Sequence, residues 1–254
     1  AYSYINLIKD LVSSGLDVII FRGINDKVDS ITNQIDSIVS KTILLPTSIK
    51  ESCELILKES VDILFYLDIG MDPQTYVMSL SRLALVQVVG SGHLQTSGSS
   101  NIDYYISSKH MESEISDKYY TERLIRLKRI PANISKPEVK INNFTRSNLN
   151  ISDKTFLIGL PHTLWKFHPD FDNILAKILK EIPHALLFMF EGVKKYETNL
   201  LKSRWNKNNK IILKNTIISP RVPIEKYLSI LKFFDIILDP FYSGMGITSY
   251  QSMS

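Results

Sequence analysis

The chain has 254 residues, 44% of them hydrophobic and 22% charged, which is enough for one large domain or two of ordinary size. No run approaches about 18 consecutive apolar residues, so no membrane-spanning helix is expected. The single cysteine, Cys53, excludes an internal disulfide and a cysteine metal cluster. A net charge of +4 spread along the chain is too weak for a nucleic-acid stripe and is compatible with a small anionic ligand such as a nucleotide.

In chain order, YINLIKDLVSSG has apolar residues at helical spacing and ends at Gly15, a suitable terminator. LDVIIFRG follows as a short β-branched run, the pattern of a buried parallel strand. A helix is then predicted over 26–40, a strand over 41–46, and a serine-capped helix over 48–60. Strands over 61–68, 85–90 and 102–108 surround a helix over 73–84. Between 130 and 153 the periodicity fails in a stretch rich in Pro, Asn and Ser, which marks a linker. The alternation restarts with strands over 155–161, 184–191, 210–219 and 236–241, separated by helices over 168–183, 193–208 and 222–235. The closing GMGITSYQS reads as a glycine turn entering a helix.

Strands alternating with helices of this length imply crossover connections and parallel sheets, hence an α/β fold. Two such runs predict two Rossmann-like domains facing a cleft: residues 1–132, a linker over 133–152, and residues 153–254. The opening at Ala1 and the close at ITSYQSMS both read as interrupted helices, so a fragment truncated at both ends is expected. No charged-then-apolar leader is visible, and one cysteine suits a reducing, cytoplasmic setting. Asn-x-Ser/Thr matches at Asn133, Asn143 and Asn150 read as chance in so Asn- and Ser-rich a stretch.

Several loops that follow strands carry candidate chemistry. In LDPFYSGMGITSYQS, Gly244 and Gly246 permit close backbone approach, and Thr248 and Ser249 add hydroxyls, as a phosphate-binding turn would. The same residues also suit a plain strand–helix turn with a Thr/Ser cap. In GLPHTLWKFHPDFD, Lys166 is placed to neutralise a leaving diphosphate or to lie solvated at the surface. His168 before Pro169 suits the start of a helix. The loop GSGHLQTSGSSNIDYY holds Gly92, His93, Thr96, Ser97 and Gly98, followed by Asp103 and Tyr104. His93 is a candidate general base or a solvated histidine, and Asp103 a candidate brace for the loop. Asp68 and Asp72 bracket a strand end and suit a solvated or capping role better than a metal site.

The string DILFYLDIGMDPQTYVMSLSRLALVQVVGSGHLQTSGSSNIDYYISS resembles the central block of glycosyltransferase family 41, which contains the O-GlcNAc transferases and the bacterial cytoplasmic protein glucosyltransferases. LPHTLWKFHPDFDNILAKILKEIPHALLFMF and RVPIEKYLSILKFFDIILDPFYSGMGITSYQS follow in the family's order, so the likeness runs from about residue 62 to the end. The resemblance implies a GT-B type fold and inverting transfer of a sugar from UDP-GlcNAc or UDP-glucose to a protein or other acceptor. It implies no metal and no cofactor beyond the UDP-sugar substrate. By the same resemblance Lys166, Gly246, Ile247, Thr248 and Ser249 hold the donor diphosphate, with Lys166 and His93 catalytic. Gly92, His93, Thr96, Ser97, Gly98 and Asp103 form the acceptor-side loop. The chain departs from the family in reading Gly92-His93-Leu94, where a proline is common, and in carrying Gln251 and Ser252 where the O-GlcNAc transferases have an acid for the donor ribose. The uracil-contacting segment is likewise not recognisable around 222–227. A non-catalytic nucleotide-sugar or partner-binding domain and an epimerase-like enzyme remain the alternatives.

Overall fold

The computed structural model describes residues 3–67, 69–90, 92–93, 95–131, 134 and 144–253. Asp68, Leu94, Asn133 and Asn143 lie outside the described residues. The chain divides into two compact units, Ala1–Ser135 and Lys136–Ser254.

The first unit runs α1 (Ile5–Ser13), β1 (Ile19–Gly23), α2 (Ser30–Asp36), β2 (Lys41–Leu45), α3 (Ile49–Lys58), β3 (Ile63–Tyr66), α4 (Pro73–Met78), β4 (Val86–Val89), β5 (Tyr104–Ser108) and β6 (Arg123–Leu127). β1 pairs with β2, while β3, β4, β5 and β6 lie side by side in sequence order, every pairing parallel. Gly15, at φ 82°, adopts the left-handed conformation that ends α1. Asp29 caps α2, taking the amides of Ile31 and Thr32, so that helix starts later than its apolar spacing suggests. Asp72 caps α4 through the Thr75 amide and hydroxyl at 2.6 and 2.7 Å, the capping role expected of it. α4 stops at Met78, well short of residue 84, where the Ser79 hydroxyl turns back to the Tyr76 carbonyl. β6 has no counterpart among the predicted strands. It is an edge strand in which buried Leu124 alternates with charged and exposed residues, so no apolar run marks it.

The second unit runs β7 (Phe156–Leu160), α5 (Pro169–Glu181), β8 (Ala185–Phe190), α6 (Lys195–Asn208), α7 (Lys210–Lys214), β9 (Thr216–Ser219), α8 (Ile224–Leu231), β10 (Ile236–Ile237) and α9 (Ile247–Met253). Its sheet is parallel in the order β10-β7-β8-β9. β7 and β8 are almost inaccessible along their length, as expected of central parallel strands covered on both faces. Their core includes Leu160, Leu175, Leu187, Met189, Trp205 and Ile212, each at 0% exposure. Fully burying such a side chain stabilises the fold by about 1.5–3 kcal/mol. The stretch KIILKNTIIS is not one strand. Residues 210–214 form a helical turn that buries Ile212, and the Asn215 amide and Thr216 hydroxyl bond back to the Ile211 and Ile212 carbonyls before β9 begins. β10 is shorter than the expected 236–241, because Asp239 turns to accept the Met245 amide at 2.8 Å.

The sheet order fixes where this unit can bind a ligand. From β7 the chain moves outward through β8 and β9, then returns to the other side of β7 as β10. The carboxyl ends of β7 and β10 therefore flank the point where strand order reverses, the position at which open α/β sheets bind ligands.

Candidate functional site

Both phosphate-site candidates lie at that reversal. After β7 comes the loop of Pro161, His162 and Thr163, a short 3-10 turn (Leu164–Lys166), and then α5, whose N-cap is His168. The His168 imidazole accepts the Asp170 amide at 3.2 Å and Pro169 occupies the first turn, so His168 starts the helix as expected. After β10 come Asp239, Phe241, Tyr242 and the glycine turn leading to α9. Tyr242 fastens this segment to the start of α5. Its hydroxyl donates to Asp170 at 2.9 Å, and its ring packs edge-on against His168 with centroids 4.7 Å apart.

The two segments also meet at Lys166, whose ammonium donates to the Gly244 carbonyl, 78 residues further along. The ammonium also lies 5.4 Å from the centroid of the exposed Trp165 ring. Partial burial lowers the Lys166 pKa from its ordinary value, and the Asp239 carboxylate opposes that shift. Asp239 anchors the turn through the Met245 amide, and Gly246 adopts φ 60° with open space around its α-carbon. Gly246 is therefore required for its left-handed conformation rather than for room. Thr248 and Ser249 are half-buried, the Ser249 amide donating to the Gly246 carbonyl at 3.1 Å. Lys166, Gly246, Ile247, Thr248 and Ser249 are thus gathered at one end of one sheet.

His162 was not singled out by the sequence, yet it is the most unusual group here. It is 6% exposed, and neither ring nitrogen has a hydrogen-bond partner among the described residues. The Leu238 backbone lies beside it, outside ordinary hydrogen-bond geometry. Burial pushes its pKa down to about 4, with Asp239 working against that shift and Lys166 adding to it. The imidazole is neutral at physiological pH. Asp239 and Tyr242 also escaped sequence reading, although an acid directly after a strand and before two glycines is a usable signal.

In the first unit, the loop between β4 and β5 carries Gly92, His93, Thr96, Ser97 and Gly98. His93 is half-buried. Its backbone carbonyl accepts the Tyr105 hydroxyl, and its ring faces Gly70. Thr96 and Ser97 direct their hydroxyls to the Glu122 carboxylate, a residue the sequence did not single out. Asp103 makes a two-pronged ion pair with Arg82 at 2.6 and 3.0 Å and accepts the Gln87 amide at 2.7 Å. The Arg82 guanidinium holds the Asp103 carboxyl below its ordinary pKa. Gln87 in turn donates to the Asn101 carbonyl at 2.7 Å, so Asp103 braces the far end of the loop through a relay. No group of three or more His, Cys, Asp or Glu side chains able to hold a metal occurs among the described residues. Nor is any described helix long and apolar enough to cross a membrane.

No family model matches the chain. The chain is 29% identical over 188 residues to the UDP-glucose:protein N-beta-glucosyltransferase of Actinobacillus pleuropneumoniae serotype 5b, a match covering 71% of this chain and 29% of that protein. A solved structure, the Thermobaculum terrenum O-GlcNAc transferase mutant, superposes with a TM-score of 0.82 at 21% identity over 98% of this chain and 48% of that one. A glycosyltransferase from Rickettsia africae superposes with a TM-score of 0.53 at 15% identity, covering 92% of this chain and 67% of that one. These structural likenesses show a GT-B glycosyltransferase fold, and the sequence likeness agrees with the family 41 resemblance carried by the motifs. The chain spans under a third of the length of the curated relative, 29%.

Proposed function

We propose that the chain is a catalytic region of an inverting glycosyltransferase that moves glucose or N-acetylglucosamine from a UDP-sugar to a protein side chain. The observation that carries this reading is the meeting of Lys166 with the 244–249 turn at the reversal point of the second sheet. A cation and a glycine turn joined there suit a diphosphate, the group a UDP-sugar must release. The likeness to a UDP-glucose:protein N-beta-glucosyltransferase supports both the donor and a protein acceptor.

In the proposed reaction, an acceptor oxygen or nitrogen attacks the anomeric carbon from the face opposite the diphosphate. The bond from that carbon to the β-phosphate oxygen breaks, its electron pair leaves with UDP, and the acceptor proton passes to a base. Lys166 and the backbone amides of the turn stabilise the leaving charge, commonly the largest catalytic contribution in such sites. His93 is the candidate base, and the loop of Gly92, Thr96, Ser97, Gly98 and Asp103 forms the acceptor side. The reading needs no metal and no nucleic acid, and it suits a soluble, cytoplasmic setting.

Incubating the full-length protein with UDP-glucose or UDP-GlcNAc and acceptor protein, and measuring free UDP and sugar attached to protein, tests it. Release of UDP matched by labelled protein is expected. Tight UDP binding without release would favour a non-catalytic binding domain, and a changed free sugar without labelled protein would favour an epimerase. Lys166→Ala is expected to abolish detectable UDP binding or turnover, and unchanged UDP affinity would overturn the donor-site assignment.

A further inference from the structure

Glu122 is a 5% exposed carboxylate that makes no salt bridge with the described residues. It sits immediately ahead of β6 and reaches residues about 25 positions back in the chain. Its Oε1 accepts the Ser97 amide at 2.7 Å and the Ser97 hydroxyl, and its Oε2 accepts the Thr96 hydroxyl at 2.7 Å. The bonds spread outward from those partners. The Thr96 oxygen accepts the Gly98 and Thr121 amides, each at 3.2 Å, and the Ser97 oxygen accepts the Ser99 amide at 3.2 Å. The Ser99 hydroxyl then donates to the Ser79 carbonyl at 2.8 Å. Residues 96–99 are thereby organised around a single buried group.

Leaving an acid in a buried place without a cation is costly unless each oxygen is satisfied. Burial works to raise the Glu122 pKa, and the Ser97 and Thr96 bonds outweigh it, holding the carboxyl below its ordinary value. The chemistry calls for an ionised acid in particular. Three donors converge on two oxygens, and only a carboxylate offers acceptors alone. An amide would turn an N–H toward one of the hydroxyls and force it to rotate away.

We propose that Glu122 is the positioning residue of the acceptor loop, its buried carboxylate fixing residues 96–98 in the conformation that receives the acceptor side chain. This rests on the transferase reading above, since the loop is placed there on the acceptor side. Glu122 touches no reacting atom in this scheme. It acts through Thr96 and Ser97, while Tyr105 holds the neighbouring His93 carbonyl.

The test compares wild type, Glu122→Gln and Glu122→Asp in the full-length protein. Kinetics use UDP-glucose or UDP-GlcNAc with peptide pools containing Asn or Ser/Thr acceptors, alongside calorimetric UDP affinity and melting temperature. Glu122→Gln keeps the side-chain volume and is expected to fold. It should lower kcat/KM for the peptide at least tenfold, mainly through kcat and peptide KM, with UDP affinity within twofold of wild type. Amide exchange at Ser97, Gly98 and Ser99 should accelerate, and Glu122→Asp should recover part of the peptide activity. Unchanged peptide kinetics in Glu122→Gln would overturn the proposal. So would an equal loss of peptide activity and UDP affinity that follows the folded fraction. A wild-type protein that binds UDP but glycosylates no peptide would instead remove the transferase reading, and this proposal with it.

Discussion

Lys166 and Gly244 are joined side chain to backbone although 78 residues separate them. A lysine held by a carbonyl is pre-positioned but not neutralised, because the carbonyl carries only a partial charge. Under the proposed donor-site assignment, an arriving diphosphate replaces or shares that bond and gains a full ionic interaction. Lys166→Arg is therefore expected to keep part of the UDP affinity. The bulkier planar guanidinium cannot reproduce the single-point contact with Gly244, so affinity should fall between wild type and Lys166→Ala when measured by calorimetry.

Gly246 separates backbone conformation from bulk. Its φ of 60° and the open space around it mean that a methyl group meets no neighbour but strains the backbone. Gly246→Ala is expected to let the unliganded turn relax away from this φ, so that restoring it on binding costs about 1–2 kcal/mol, seen as roughly five- to thirtyfold weaker UDP binding with little change in melting temperature. Gly246→Asn, which tolerates the left-handed region, should be milder. Equal affinities for the two variants would contradict this account.

The buried Asp172 offers a stability test away from the site. At 3% exposure it accepts Arg204 Nε and Nη2 at 2.8 and 2.9 Å and the Trp205 indole N–H at 2.9 Å. Replacing it with alanine strips the Trp205 indole N–H of this acceptor and Arg204 of its counter-charge, although Arg204 keeps the Phe167 carbonyl at 2.8 Å. The expected destabilisation is about 3–5 kcal/mol, measured by chemical denaturation of the second unit.

His162 sets a pH dependence whose sign can be worked out. Its folded pKa is pushed down to about 4 from an ordinary 6.5, so between those values the unfolded chain binds the extra proton. Stability from this group is therefore full above 6.5 and falls as pH drops toward 4, by at most about 1.4 kcal/mol per pH unit. Melting temperatures between pH 4.5 and 7 should show a shallower acid limb in His162→Gln than in wild type. Identical limbs would show that the imidazole does not resist protonation.

The elements most legible in the sequence were those whose signal is local. β7 and β8 are continuous apolar runs, and the helix 169–181 carries its own apolar spacing, its Pro at the first turn and its cap. Lys166 and the glycine turn drew notice because each lies in the loop between a strand and the next helix. The KIILK segment misled because a short β-branched run has no period long enough to separate helix from strand, and only packing of Ile212 against the core decides it. Glu122 was hidden for a different reason. It stands in a charged stretch with no local sign of burial, and its partners Thr96 and Ser97 become neighbours only once β5 and β6 pair. His162 likewise owes its character to burial beside Leu238 and Asp239, a relation between distant segments.

The strand order β10-β7-β8-β9 also has a consequence for the timing of assembly. The strands that bear the main core, β7 and β8, leave the ribosome well before β10, and the Lys166–Gly244 bond joins the early part of the unit to its last strand connection. Growing chains can therefore bury Leu160, Leu187 and Trp205 before Lys166 meets Gly244. In the proposed donor site, the last contact to form is thus a long-range one, whose loop-closure entropy sets it behind the local packing of the hydrophobic interior.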